Sequence, residues 1–243
     1  MAGLSEPVHI KARKGEIAEH VIVAGDPARV KLVSGLLETP KLVSDIRGYH
    51  VYTGLYRGVP VTVAVHGIGS ASAVLVLEEL IMLGARVVVR LGTCGGMVKE
   101  LDVGDLVIPT GASYYCGGLF HQYVEEPVCQ AALPSYELLE NIVTQVRKLG
   151  KKHMVAPVVS CDAFYTEPGF VEKWVNRGMV AVDMETAPIL AVSLLRRVKA
   201  ASVLIVSNSL VKPTGFALAS ELERHVKDVA PAVLEALIRT SVR

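Results

Sequence analysis

Arg90 has the setting most suggestive of chemistry in this 243-residue chain. It follows Val87, Val88 and Val89 in an apolar run that reads as a buried strand, and it precedes a turn-like stretch with Gly92, Gly95 and Gly96. A guanidinium kept among such residues is costly unless an anion meets it. The glycines let the backbone approach a ligand closely, and Thr93 adds a hydroxyl at the same edge. The plain alternative is a surface arginine at a strand end followed by an ordinary turn. Three other segments invite the same question. In Gly25-Asp26-Pro27-Ala28-Arg29 the arginine falls one turn into a helix, so backbone N–H groups and the positive helix end can join it on a phosphate oxygen. A solvated helix residue is the competing reading. Asp183 and Glu185 put two carboxylates at a strand-to-helix junction, where one acid can accept from two vicinal sugar hydroxyls. Spacing alone favours helix capping by Asp183, with Glu185 in the first turn. Ser207-Asn208 closes the set.

The elements that must position these residues alternate along the chain. His20 to Ala24 reads as a strand, Ala28 to Leu37 as a helix with Pro27 near its first turn, and Gly48 to Arg57 and Val59 to Val65 as two strands joined at Arg57-Gly58. Ser70 to Leu83 reads as a helix, and the next strand ends at Arg90. After a strand from Asp105 to Thr110 comes an irregular stretch, Gly111 to Tyr123, then a helix from Tyr136 to Leu149 and a strand from Val155 to Cys161. Helices are expected at Glu167–Asn176, Glu185–Arg197 and Glu221–Thr240, and strands at Met179–Val182 and Ala200–Val206. This order predicts an α/β fold, a three-layer sandwich. All four chemical segments fall at carboxyl ends of strands, where ligand sites gather in such sheets.

Composition narrows the function classes. Hydrophobic residues make up 51% and charged residues 20%, with no linker or low-complexity run, so one folded domain over residues 1–243 is expected. The net charge of +1 comes from interspersed acids and bases and gives no basic stripe for nucleic acid. Cys94, Cys116, Cys129 and Cys161 form no zinc-like or C-x-x-C spacing, and reduced, metal-free thiols are expected. Met1 to Glu16 lacks an apolar signal core, and apolar runs such as Ala187 to Leu195 are too short to span a bilayer. A cytoplasmic protein without membrane or nucleic-acid partners is the expectation.

Further motifs extend the pattern: Pro7-Val-His9-Ile, Arg47-Gly48 before Tyr52-Thr-Gly54, His66-Gly-Ile68-Gly69, Arg90-Leu-Gly-Thr93-Cys94-Gly95, Asp162-Ala-Phe164-Tyr165, and Val182-Asp-Met184-Glu185 before Val206-Ser-Asn208. Together with Gly25 to Arg29, and in this order, they resemble the hexameric-type purine nucleoside and methylthioadenosine phosphorylases of the nucleoside phosphorylase-I family. The resemblance covers nearly the whole chain. It implies a phosphorylase-type α/β/α sandwich on a mixed sheet, and reversible phosphorolysis of a purine nucleoside or deoxynucleoside to free base and ribose or deoxyribose 1-phosphate. Inorganic phosphate is then a co-substrate, and no cofactor or metal is implied. By resemblance Gly25, Arg29, Arg90 and Thr93 hold phosphate, with Arg47 donated by a neighbouring subunit. Ile68, Met184 and Glu185 fall at the ribose, which His9 reaches from a neighbouring subunit. Phe164 packs on the base, with Cys94, Gly95, Val182, Asp183, Ser207 and Asn208 around it. Asn208, Glu185 and Arg90 form the catalytic set. Shared sites imply a homo-oligomer, by resemblance a hexamer built as a trimer of dimers.

Two departures bear on specificity. Many relatives carry a proton-donating aspartate where this chain has Asn208, and glutamate where it has Asp183. A carboxamide cannot act as that acid, but its NH2 can donate to purine N7, or its oxygen can accept. The arginine that assists the aspartate in relatives is replaced by Glu221, thirteen residues after Asn208. Lys212 and Arg224 are the candidate substitutes. The amide suits the N7/O6 edge of 6-oxopurines, so inosine and guanosine are expected to lead adenosine. Uridine phosphorylase and methylthioadenosine phosphorylase are the enzymatic rivals, although no glutamine and arginine stand near Phe164 to grip uracil. A dinucleotide-binding reading of His66-Gly-Ile-Gly69 fails where Ser72 replaces the third glycine. A nucleoside-binding protein without catalysis is the non-enzyme alternative.

Overall fold

The computed structural model describes residues 6–115, 118–124, 129–165 and 168–242. Among these residues nine strands run in the order β2-β3-β4-β1-β5-β8-β7-β6-β9, and β9 also pairs with β5. They are β1 (His20–Ala24), β2 (Glu38–Ser44), β3 (Val51–Tyr56), β4 (Val59–Val65), β5 (Val87–Gly96), β6 (Leu106–Tyr115), β7 (His153–Cys161), β8 (Ala181–Asp183) and β9 (Lys199–Ser209). β1 is parallel to β4 and β5, and β5 is parallel to β9, whereas β2-β3, β3-β4, β5-β8 and β6-β9 are antiparallel. The sheet is mixed, as expected. One half closes on itself through β5, β8, β7, β6 and β9. Cys94, Val107, Val158, Ala181 and Leu204, one from each of these strands, share a buried cluster inside that ring.

Helices cover both faces. α1 (Pro27–Ser34), α4 (Tyr136–Lys148) and α7 (Ala219–Arg239) lie on one side, α2 (Ser70–Leu83) and α6 (Thr186–Leu195) on the other, with short α3 (Leu119–Tyr123) and α5 (Phe170–Val175) near the closed half. The strand period of two sorts the core. Ile22, Val87 and Val89 pack towards α1, α4 and α7, while Val21, Val23 and Val88 pack towards α2 and α6. Asp26 starts α1 by accepting from the Ala28 amide at 2.9 Å, with Pro27 in the first turn.

Several expectations are corrected. β5 does not end at Arg90. It continues through Gly96, paired with β9 along its whole length, so the glycine-rich stretch is strand and not turn. β6 likewise runs to Tyr115, through part of the stretch expected to be irregular. Glu38–Ser44 is an edge strand that the sequence pattern does not announce, since most of its residues are exposed. Cys116, and Glu167 at the start of the expected 167–176 helix, lie outside the described residues; that helix is described from Phe170 to Val175. Cys94, Cys129 and Cys161 are free thiols. Among the described residues no helix is long and apolar enough to cross a membrane.

Candidate active site

Arg90 sits in mid-sheet, paired in register with Val23 on one side and Ser202 on the other, and is only 3% exposed. Its side chain runs along its own strand and across Gly92. A Cβ on Gly92 would lie 2.6 Å from the guanidinium carbon, so any larger residue there collides with it. Nε donates to Asp183 Oδ2 at 3.1 Å, and Nη2 meets Asp183 Oδ2 at 3.0 Å and Glu185 Oε2 at 2.6 Å. Nη1 lies 2.9 Å from His66 Nε2. Burial works against the charged form, but Glu185 and Asp183 outweigh it and hold the Arg90 pKa above its usual value.

Each partner is itself fixed. Asp183 accepts from the Ser160 hydroxyl at 2.5 Å, the Thr186 amide at 2.9 Å and the Thr186 hydroxyl at 2.6 Å, and its side chain is fully buried. It therefore caps α6 and braces Arg90 at once. Glu185 Oε1 accepts from the Gly69 amide at 2.8 Å, which ties the carboxylate to the start of α2. Burial pushes the Glu185 carboxyl up; Arg90 opposes that rise and Asp183 adds to it. His66 is fully buried, and burial followed by the Arg90 charge drives its pKa well below the imidazole norm. A neutral ring beside a permanent cation must accept at Nε2, so its proton is on Nδ1, which has no partner among the described residues. The ring edge also fixes Gly25, where a Cβ would meet Gly67 O at 2.8 Å and His66 Cε1 at 3.4 Å.

Arg29 lies beside this cluster. It is buried, donates to Leu91 O at 3.2 Å, and its pKa is pushed down to about 10 by burial and by Arg90. Two guanidiniums held within mutual repulsion form a place where an anion relieves strain.

A bulge at the far end of β5 and β9 places the remaining residues. Cys94 pairs with Val206 but Gly95 pairs with Asn208, so Ser207 is the extra residue. Gly95 also faces Val182 across the antiparallel pair. The Ser207 hydroxyl lies 3.1 Å from Asn208 Oδ1 and 3.2 Å from Cys94 O, so its single proton serves one or the other. With Oδ1 held this way, Nδ2 of the buried Asn208 is left without a partner among the described residues. Neither candidate substitute for the absent helper arginine reaches it: Lys212 is bound to Leu101 O and Asp102, and Arg224 is exposed. Glu221 instead closes the start of α7 by accepting from the Leu218 amide at 2.9 Å.

The rim holds Ile68, 76% exposed between two positive-φ glycines, together with Met184 and Phe164. Asp162 ties the Phe164 loop to α2 by accepting from the Ser70 amide at 2.8 Å and the Ser70 hydroxyl at 2.5 Å. Two expected residues make no hydrogen bond or ion pair with this cluster among the described residues. His9 is bound by Glu79, which also takes the amides of Val8, His9 and Ile10. Glu79 is nine residues beyond Ser70 along α2, about 14 Å from the site end of that helix at 1.5 Å per residue. Arg47 is exposed in the short turn after β2, with φ 55°.

A profile of the phosphorylase superfamily matches residues 19–239. The chain belongs to that superfamily. It is 36% identical over 234 residues to a purine nucleoside phosphorylase DeoD-type 2 of Vibrio vulnificus, covering 95% of this chain and 98% of that one. It is also 32% identical over 210 residues to a guanosine phosphorylase of Halorubrum lacusprofundi, covering 86% of each. Among solved structures, a uridine phosphorylase from Vibrio fischeri superposes with a TM-score of 0.85 at 27% identity, over 99% of this chain and 100% of that one.

The sequence analysis gives His66 no role in the site, and its signals were its place before a glycine turn and in the His66-Gly-Ile68-Gly69 motif. Its effect on Arg90 is testable. His66→Phe keeps a ring but removes the acceptor, whereas His66→Gln restores an acceptor at similar reach. The phosphate KM of the Phe variant is expected to rise about tenfold, the scale of one hydrogen bond to a charged group, with a smaller rise for Gln. Equal phosphate KM in all three proteins would contradict the assignment.

Proposed function

We propose that this protein is a purine nucleoside phosphorylase that favours 6-oxopurine nucleosides. The observation that carries this reading is the buried pair Arg29 and Arg90 with Glu185 fixed beside them, a place for an anion directly next to a carboxylate suited to sugar hydroxyls. In this reading phosphate is held by both guanidiniums, the Gly25 backbone and the Thr93 hydroxyl, while Glu185 accepts from the ribose 2′ and 3′ hydroxyls near Met184 and Ile68. A phosphate oxygen attacks C1′ as the bond from C1′ to N9 breaks, and the bonding pair leaves with the purine. Glu185 stabilises the cationic sugar between these events. Asn208 Nδ2 donates to N7 and O6 as charge builds on the base, which then takes a proton from water. Gly95, Val182 and Phe164 enclose the ring, Cys94 and Ser207 support that wall, and Asp183 serves through Arg90.

Charge supports a shared site. Arg29 and Arg90 are balanced by Asp183 and Glu185, so a phosphate dianion entering this chain's residues alone meets a neutral cluster. A third cation is needed, and Arg47, presented outward on strained backbone, suits a neighbouring subunit's phosphate site, while His9 is assigned to a neighbour's ribose. We take the active form to be an oligomer with shared sites, a hexamer by resemblance. Mixing His9→Ala with Glu185→Ala protein should restore some activity through hybrid sites. No recovery after proven subunit exchange would count against sharing.

The uridine phosphorylase likeness favours a second reading in which uracil is the base. Measuring kcat/KM for inosine, guanosine, adenosine, methylthioadenosine and uridine separates the two. Inosine and guanosine are expected to lead, turnover to vanish nearly completely when phosphate is replaced by inert buffer, and Asn208→Ala to cost about a hundredfold, as for loss of one transition-state donor. Adenosine or uridine leading, or turnover without phosphate, would contradict the proposal.

A further inference from the structure

The segment after β9 folds back over the residues around Asn208. Leu210 donates to Gly96 O at 2.8 Å, Ser209 accepts from the amides of Val211 and Lys212, and the Thr214 hydroxyl accepts from the Ser209 amide at 3.1 Å. The Ala217 amide then returns to Ser207 O at 2.7 Å. These bonds are local and owe little to packing, and they bring Phe216 to the Phe164 side of the site. The two rings lie 6.1 Å apart between centroids and only 24° from parallel. Each is more than half exposed, Phe164 at 57% and Phe216 at 61%.

Two near-parallel phenyl rings, stacked on one another with Tyr165 edge-on to Phe164 at 5.2 Å, leave a largely exposed apolar surface near the buried Asn208 amide. A purine has two flat faces, and with Phe164 against one the other needs its own cover. Phe216 supplies a near-parallel ring on a loop pinned to Ser207, the immediate neighbour of Asn208; at 6.1 Å the two exposed rings pack on each other, and they must part to admit a base between them. We propose that Phe216 is the second aromatic wall of the base site, stacking on the purine face opposite Phe164 while Asn208 reads the edge. This inference rests on the purine reading above. It gives the loop from 210 to 217 a specific task, since the same hydrogen bonds that hold it at Ser207 aim its one aromatic ring at the base.

The test is equilibrium binding of hypoxanthine in phosphate buffer by calorimetry, for the unmodified protein, Phe216→Ala and Phe216→Tyr, with phosphate KM and melting temperature measured alongside. Phe216→Ala is expected to weaken hypoxanthine about tenfold, the scale of one base stacked on one aromatic ring. Phe216→Tyr should bind within about twofold of the unmodified protein. Phosphate KM and melting temperature should stay unchanged, because the ring lies away from Arg90 and is largely exposed. Unchanged hypoxanthine affinity in Phe216→Ala, with the unmodified protein binding normally, overturns the inference and leaves the purine reading standing. An unmodified protein that binds uracil but not hypoxanthine overturns both.

Discussion

A permanent positive charge in the middle of a nine-stranded sheet is the constraint around which this fold is arranged. Moving a guanidinium out of water costs several kcal/mol even after relaxation, so the surrounding residues must meet nearly all its donors. Asp183, Glu185 and His66 do so, from the end of β8, the start of α6 and the turn before α2. Removing one partner from a buried pair of this kind typically costs about 3–5 kcal/mol, comparable to a large core truncation. The three elements are thus locked to β5 by electrostatics as firmly as by packing. Gly92 is glycine because the guanidinium lies where its side chain would be.

That lock also sets the chemistry. Glu185 is held from both sides, by Arg90 on one oxygen and the Gly69 amide on the other, so its carboxylate is preorganised. Arg90 and Glu185 share one ion pair, so whatever shifts Arg90 shifts that carboxylate, which the proposed reading puts beside the sugar. The residues around Asn208 are held differently. Their geometry comes from a bulge at Ser207, which turns Asn208 inward, and from the closed ring of strands that brings Gly95 and Val182 against it.

Much of this was legible in the sequence. Gly25 to Arg29 announces its own turn, cap and helix, because Asp, Pro and the following spacing act locally. The layering of the sandwich follows from strand and helix periods. What was misread depends on distant contacts. Glycines in β5 look like a turn, since glycine is a poor strand former, and only the path of the Arg90 side chain explains them. The cap that Asp183 makes on α6 follows from local spacing, but its contacts to Arg90 and Ser160, 93 and 23 residues away, do not. His66 belongs to a recognisable motif that does not reveal its role, and Phe216 carries no pattern of its own. One precedes a turn, the other sits alone in a loop, and each acquires meaning only from what the tertiary fold brings to it.

The central claim is that the charge on Arg90, kept in place by Asp183, Glu185 and His66, joins Arg29 to receive phosphate. A crystal structure of the protein grown with phosphate tests it most directly. The account predicts the anion between the two guanidiniums, with Arg90 still bonded to Asp183. An anion bound elsewhere, or density absent between Arg29 and Arg90 at saturating phosphate, would contradict it.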